Sequence, residues 1–191
     1  MKNRILTLIY SLPLVVSLGL QAEDFDKDKA VSEAKNITQT FAGKLRSELM
    51  GAMQTGGPMN ALAVCNIEAM PITSEIATDK NAQVSRVSLK NRNPGNIPNE
   101  WQRAVLMDFD SRAANGEDVV KMASVEVIDH MGKQRLRFMK ALPVGGECLA
   151  CHGEQLSDDV QAKINELYPD DKATGYSVGQ VRGAIVVVKD Y

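Results

Sequence analysis

The hydrophobic period changes partway along the chain, and that change restricts the fold more than any other feature. Between Val31 and Met53 the apolar positions are Val31, Ala34, Ile37, Phe41, Leu45, Leu49 and Met53. Steps of three and four place them on one stripe of a helix. Asp26 and Asp28 stand near its start, where carboxylates favour the helix dipole, and Gly56-Gly57-Pro58 is the expected stop. A second helix is expected from Pro58 or Asn60, carrying Leu62, Val64 and Cys65 and bending or stopping before Pro71, with a short continuation over residues 72–77.

From Val84 to Lys90 β-branched residues take over, which reads as a strand, and the run Asn91-Arg92-Asn93-Pro94-Gly95-Asn96-Ile97-Pro98 reads as an ordered loop. Asn99 is placed to cap a helix with Trp101, Val105, Leu106 and Phe109, closed by Asn115-Gly116. Residues 123–129 and 133–140 alternate as two strands of a hairpin around His130-Met131-Gly132. A helix over residues 157–167 and a strand over 180–188 follow, the latter expected at the sheet centre because Ala184 to Val188 is continuously apolar. The order of helices, strand, helix, hairpin, helix and strand predicts an α+β fold with an antiparallel sheet.

The first 22 residues stand apart from that plan. Lys2 and Arg4 precede an apolar run from Ile5 to Leu20, and Gln21-Ala22 leads into Glu23-Asp24, the pattern of a signal peptide. The expected organisation is a leader over residues 1–22 and one domain over 23–191, with no transmembrane segment after cleavage. Cleavage would remove two basic residues and leave 20 basic against 24 acidic ones, a net charge of −4. That acidic balance argues against nucleic acid as a partner. The remaining 169 residues contain only eight aromatic ones. A large flat cofactor would fill such a core, as would aliphatic packing.

Residues 148–152 read Cys148-Leu149-Ala150-Cys151-His152. In this spacing two thiols can form thioethers with the two vinyl groups of a haem while the adjacent imidazole binds the iron. A thioredoxin-like dithiol would open a helix after a strand, whereas Pro143-Val144-Gly145-Gly146 comes first here. A zinc site would need a second ligand pair, and His130 is the one other histidine. A disulfide across two residues would leave His152 idle. Export and haem attachment agree, since bacterial c-type haem is attached outside the cytoplasm, so the expectation is one covalent haem c per chain in a periplasmic protein.

The opposite face of the iron is open to Cys65, His130 or one of the eight methionines after Met1. A lone thiol in an oxidising compartment is prone to oxidation unless buried or bound, so ligation and simple burial weigh evenly for Cys65. His130 falls at a hairpin turn, where a solvated imidazole is the expectation. Lys133, Arg135 and Arg137 alternate on one strand, and these, or Arg86 and Arg92 near the loop, are candidates to pair with the haem propionates. The chain has no Gly-rich phosphate loop after a strand, no GxSxG and no HExxH, and no enzyme activity is expected.

Several segments together resemble a family of secreted PAS-like c-type haem domains. They are Ala63-Val64-Cys65, Ser88-Leu89-Lys90 followed by Arg92-Asn93-Pro94, Asn96, Pro98 and Trp101, then Cys148 to Gly153, Tyr168 to Tyr176, Gly179 and Arg182-Gly183. The resemblance implies a PAS-like antiparallel sheet with N-terminal helices and a haem held at Cys148, Cys151 and His152. It implies Cys65 as the second axial ligand; Arg92 is expected at the cofactor only from its charge near the loop. Relatives also serve as extracytoplasmic sensor domains. The function implied is redox or diatomic-gas sensing with a periplasmic redox or signalling partner, the alternative being a periplasmic electron-transfer cytochrome.

Overall fold

The computed structural model describes residues 25–191, so the expected leader over residues 1–22 lies outside the described residues. Nine elements follow in order. They are α1 (Lys27–Ala63), α2 (Ala69–Asp79), β1 (Gln83–Val87), α3 (Glu100–Ala114), β2 (Ala123–His130), β3 (Lys133–Pro143), α4 (Leu149–His152), α5 (Asp158–Leu167) and β4 (Val181–Asp190). The four strands make one antiparallel sheet in the order β1-β4-β3-β2, so β4 lies at its centre as its apolar run predicts. The expected α+β plan is observed.

The sheet carries helices on both faces. Ala34, Ile37 and Phe41 of α1 and Ile72 and Ile76 of α2 pack on Val84, Leu136, Phe138, Ile185 and Val187. On the other face Leu106 and Phe109 of α3 meet Val87, Met139, Ala141, Ala184 and Val186. Alternation along β4 divides the two sets, because successive side chains of a strand point to opposite faces. A smaller cluster joins Leu62 of α1 to Val160 and Ile164 of α5, with Cys151 against it.

The N-terminal helices keep the expected break and add an unexpected turn. Within α1, Gly56 (φ −155°) and Gly57 (φ +63°) leave helical geometry, so two helical stretches meet at a kink before Pro58 where a stop and a new start were expected. A π-turn over Val64–Glu68 then links α1 to α2, closed by Ala69 N–H donating to Val64 O. Pro71 therefore does not end the helix. It sits in the first turn of α2, directly after a widened turn that has already displaced the regular hydrogen-bond ladder.

Elsewhere local signals hold. Asn99 caps α3 in a capping box with Gln102, the two hydrogen bonds being 3.1 and 3.0 Å. The β2–β3 turn places Met131 at φ +55° and Gly132 at φ +77°, the left-handed pair that a two-residue hairpin needs. Strand β1 ends at Val87 rather than Lys90. Ser88 Oγ there donates to Arg182 O at 2.8 Å, and the chain turns toward residues 94–96. No described helix is long and apolar enough to cross a membrane.

Candidate functional site

The Cys148–His152 segment leaves the sheet end where β3 gives way to Val144. Val144 N–H donates to Gln180 O at 2.8 Å and Gly179 N–H to Val144 O at 2.9 Å, which extends the β3–β4 pairing by one step. A single 3₁₀ turn over Gly146–Cys148 leads into α4. The Gly145 N–H points at Cys148 Sγ, 3.3 Å away. Cys65, Cys148 and Cys151 are all free thiols and none is fully buried.

A second stretch of chain, residues 171–176, lies along the motif and fixes it. Gly175 N–H donates to Gly153 O and Tyr176 N–H to His152 O, each at 2.9 Å. His152 Nδ1 is 2.7 Å from Ala173 O; since a carbonyl only accepts, Nδ1 carries the proton. Nε2 is then the unprotonated nitrogen, the tautomer that binds a metal. Burial, reinforced by the charges of Arg182 and Arg92, pushes the His152 pKa down to about 3, although the bond to Ala173 works the other way. The imidazole is therefore neutral at physiological pH. The Tyr176 ring stands edge-on to it with centroids 6.4 Å apart.

Arg92 is where the loop after β1 meets this assembly. Its Nε and Nη2 take both oxygens of Asp171 at 3.0 and 3.2 Å, and Nη2 also reaches Cys151 O at 2.6 Å and Ala173 O at 3.5 Å. Each side chain of the ion pair is 7% exposed. Asp171 Oδ1 in turn accepts from Ala173 N–H at 3.0 Å. Arg92 thus reaches the motif as expected, but its Nε and Nη2 donors are spent on protein oxygens rather than turned outward to a propionate. It acts here as a clamp that sets the Cys151 carbonyl and the Ala173 carbonyl behind His152.

Cys65 sits in the π-turn, 83 positions before Cys148 in the sequence. A charge on Cys65 would raise the Cys151 pKa, so the fold brings the distant thiol into the region of the CxxCH segment. Burial also pushes the Cys65 thiol up, opposed by Arg86, Arg92 and Arg182 in that order. Arg46 of α1 bridges to Glu147 at 3.0 Å and ties the helix to the motif from outside.

The other candidates go elsewhere. His130 ends β2 and pairs with Lys133, at the opposite end of β3 from Pro143 and the motif. Ten residues of strand, at ~3.3 Å each, separate the two ends by about 30 Å. Arg135 is bound to Asp190, and Arg137 is bound to Glu126 with its guanidinium 5.0 Å from the Trp101 ring centroid. Neither is available to a group near His152. Asp171, the Ala173 carbonyl and Tyr176 lie in the Tyr168–Tyr176 segment that carries the family resemblance, but their roles exist only once the chain has folded back on the motif.

The donor set fits a haem: two free thiols in CxxCH spacing, a neutral imidazole with Nε2 unprotonated, and a third thiol in the same region. Fold and site together are those of an α+β domain whose residues fit a haem. A family model described as Tll0287-like (Tll0287) matches residues 20–189, and the chain belongs to that family. The crystal structure of the cyanobacterial heme-protein Tll0287 is similar at 26% identity and a TM-score of 0.58, covering 85% of this chain and 93% of that one. No curated protein sequence matches.

Proposed function

We propose that the chain is exported to the periplasm on a leader of residues 1–22 and there carries one covalent haem c in a PAS-like domain, acting as a redox or diatomic-gas sensor. Cys148 and Cys151 would hold the group through thioethers, and His152 Nε2 and Cys65 Sγ are the atoms that would bind its iron. The group supplies a redox-active iron able to exchange a ligand; the protein supplies the geometry. Ala173 O fixes the imidazole tautomer, and the Arg92–Asp171 pair fixes Ala173 and Cys151 in turn.

The observation that carries the sensing reading is the placement of Cys65 in a π-turn between two helices. Wide turns of this kind occur mostly as single turns inside α-helices, frequently at functional sites. A change in the bond to Cys65 would move the junction of α1 and α2 and pass to a periplasmic redox or signalling partner. Electron transfer is the alternative, and needs only permanent ligation on both faces.

Absorption and EPR spectra of wild type and Cys65→Ala, in both oxidation states and with CO and NO, separate these readings. Sensing predicts a thiolate-ligated ferric spectrum that Cys65→Ala removes, and ferrous protein that takes up CO or NO. Unchanged six-coordinate ligation in both states, blind to CO and NO, would favour the electron carrier. Spectra that coincide for the two proteins would exclude Cys65 as ligand.

A further inference from the structure

Three arginines surround the Cys65–His152 region, and one carboxylate answers them. Arg92 takes Asp171. Arg182 has no acidic partner among the described residues: its Nη1 donates to Ser88 Oγ at 2.9 Å and Lys90 O at 3.1 Å, and its guanidinium lies 5.4 Å from the Tyr176 ring centroid. Arg86 has neither a carboxylate nor a hydrogen bond among the described residues, and burial disfavours its charge, as it does that of Arg182. Part-buried guanidiniums without a counter-charge are costly, so a fold that keeps two of them beside one site leaves two positive charges for something else to neutralise.

Their positions follow from the sheet. Arg86 shares a face of β1 with Val84 and pairs with Ile185, so it points to the α1–α2 side, where the π-turn lies. Arg182, the second residue of β4, is left unpaired at the register shift between Leu142–Gly183 and Pro143–Val181, just where the chain leaves for the motif. Tyr176 links Arg182 to the imidazole, since the guanidinium lies 5.4 Å from its ring centroid and that ring stands edge-on to His152. Arg86 thus faces the helices that carry Cys65, and Arg182 stands by the ring packed on His152.

Resting on the haem reading above, we infer that Arg86 and Arg182 bind the two propionate carboxylates of the haem, one each. The charges balance. In a ferric haem the ring's two negative charges and one thiolate cancel the iron, which leaves two propionates for two unanswered guanidiniums. Arginine presents a planar fork suited to a carboxylate, and removal from water strengthens the pairing. The assignment also fixes which edge of the macrocycle faces β1 and the start of β4.

The test uses haem-loaded protein from cells fed carboxyl-¹³C aminolaevulinate, which labels the propionate carboxyls, and reads their isotope-sensitive bands in redox-induced infrared difference spectra. The expected result is that Arg86→Gln shifts one propionate band and Arg182→Gln the other, that Arg86→Lys restores the first in part, and that Arg135→Gln moves neither. Arg86 makes no hydrogen bond that its removal would break, so its variant decides the matter if Arg182→Gln fails to accumulate. Wild-type propionate bands in Arg86→Gln, in protein whose intact mass shows haem attached, would overturn the inference alone. Wild-type protein whose mass shows no haem would overturn the haem reading and the inference with it.

Discussion

Replacing Asp171 with alanine leaves the guanidinium of Arg92 in place, nearly all its surface withdrawn from water, with only the carbonyls of Cys151 and Ala173 as partners. Removing one partner of a buried ion pair costs about 3–5 kcal/mol, because the surviving charge keeps its desolvation penalty without its compensation. Arg86 and Arg182 add to the strain, since their charges reach the same region. Arg92→Gln should cost less: it relieves that crowding, and Asp171 keeps its bond from the Ala173 N–H. With a urea m-value of about 2 kcal/mol per molar, Asp171→Ala should lower the unfolding midpoint by roughly 1.5–2.5 M. Urea titrations of wild type, both single variants and Arg92→Met/Asp171→Leu, followed by circular dichroism, measure this. The double variant removes both charges and should lie above Asp171→Ala. A loss under about 1 kcal/mol for Asp171→Ala, or a smaller loss than that of Arg92→Gln, would refute the reasoning.

Other expectations follow from single contacts. Glu33 accepts from Lys189 and from Tyr191 Oη, and its carboxyl is held below the ordinary value of 4.5 chiefly by the Lys189 hydrogen bond. A carboxylate lowered on folding contributes stability that is full above pH 4.5 and lost as pH falls through the folded pKa. The stability gap between wild type and Glu33→Gln should therefore be present at neutral pH and close in acid, as thermal melts across pH would show; a constant gap would contradict it. Gly183 has φ +157°, and a Cβ there would lie 2.3 Å from Val87 O. Gly183→Ala should cost about 2–4 kcal/mol by backbone strain and overpacking at the β1–β4 pair, measurable by denaturation. Cys65→Ala should change the spectrum while leaving the haem attached, since the thioethers belong to Cys148 and Cys151; loss of attached haem by mass would contradict that division of roles.

What could be read from the sequence is what local chemistry decides. The apolar stripe of α1, the Asn99 cap, the hairpin turn at Met131-Gly132 and the continuous apolar run of β4 each satisfy themselves within a few residues, and each appears in the fold. The break at Gly56-Gly57-Pro58 was legible too, because two glycines before a proline leave helical geometry. At Pro71 a bend or a stop was expected; the helix continues through it, and the π-turn that precedes it is not visible in a hydrophobic period. At the site the CxxCH segment identifies itself, but its supports do not. Arg92 and Asp171 are 79 positions apart, and His152 finds Ala173 only when residues 171–176 lie along the motif. Arg92 was expected at a propionate because charge near a loop suggests a ligand; the fold instead turned it inward.

The central claim is that Cys148 and Cys151 hold a haem covalently, and intact mass spectrometry of the full chain tests it most directly. The protein should be expressed with its own leader in a bacterium competent in c-type haem attachment, purified from the periplasm and stripped with acidified acetone. The account predicts a mature polypeptide heavier by one haem after stripping, and no such addition in Cys148→Ala/Cys151→Ala. A polypeptide of unmodified mass, with the pigment extracted or absent, would contradict it.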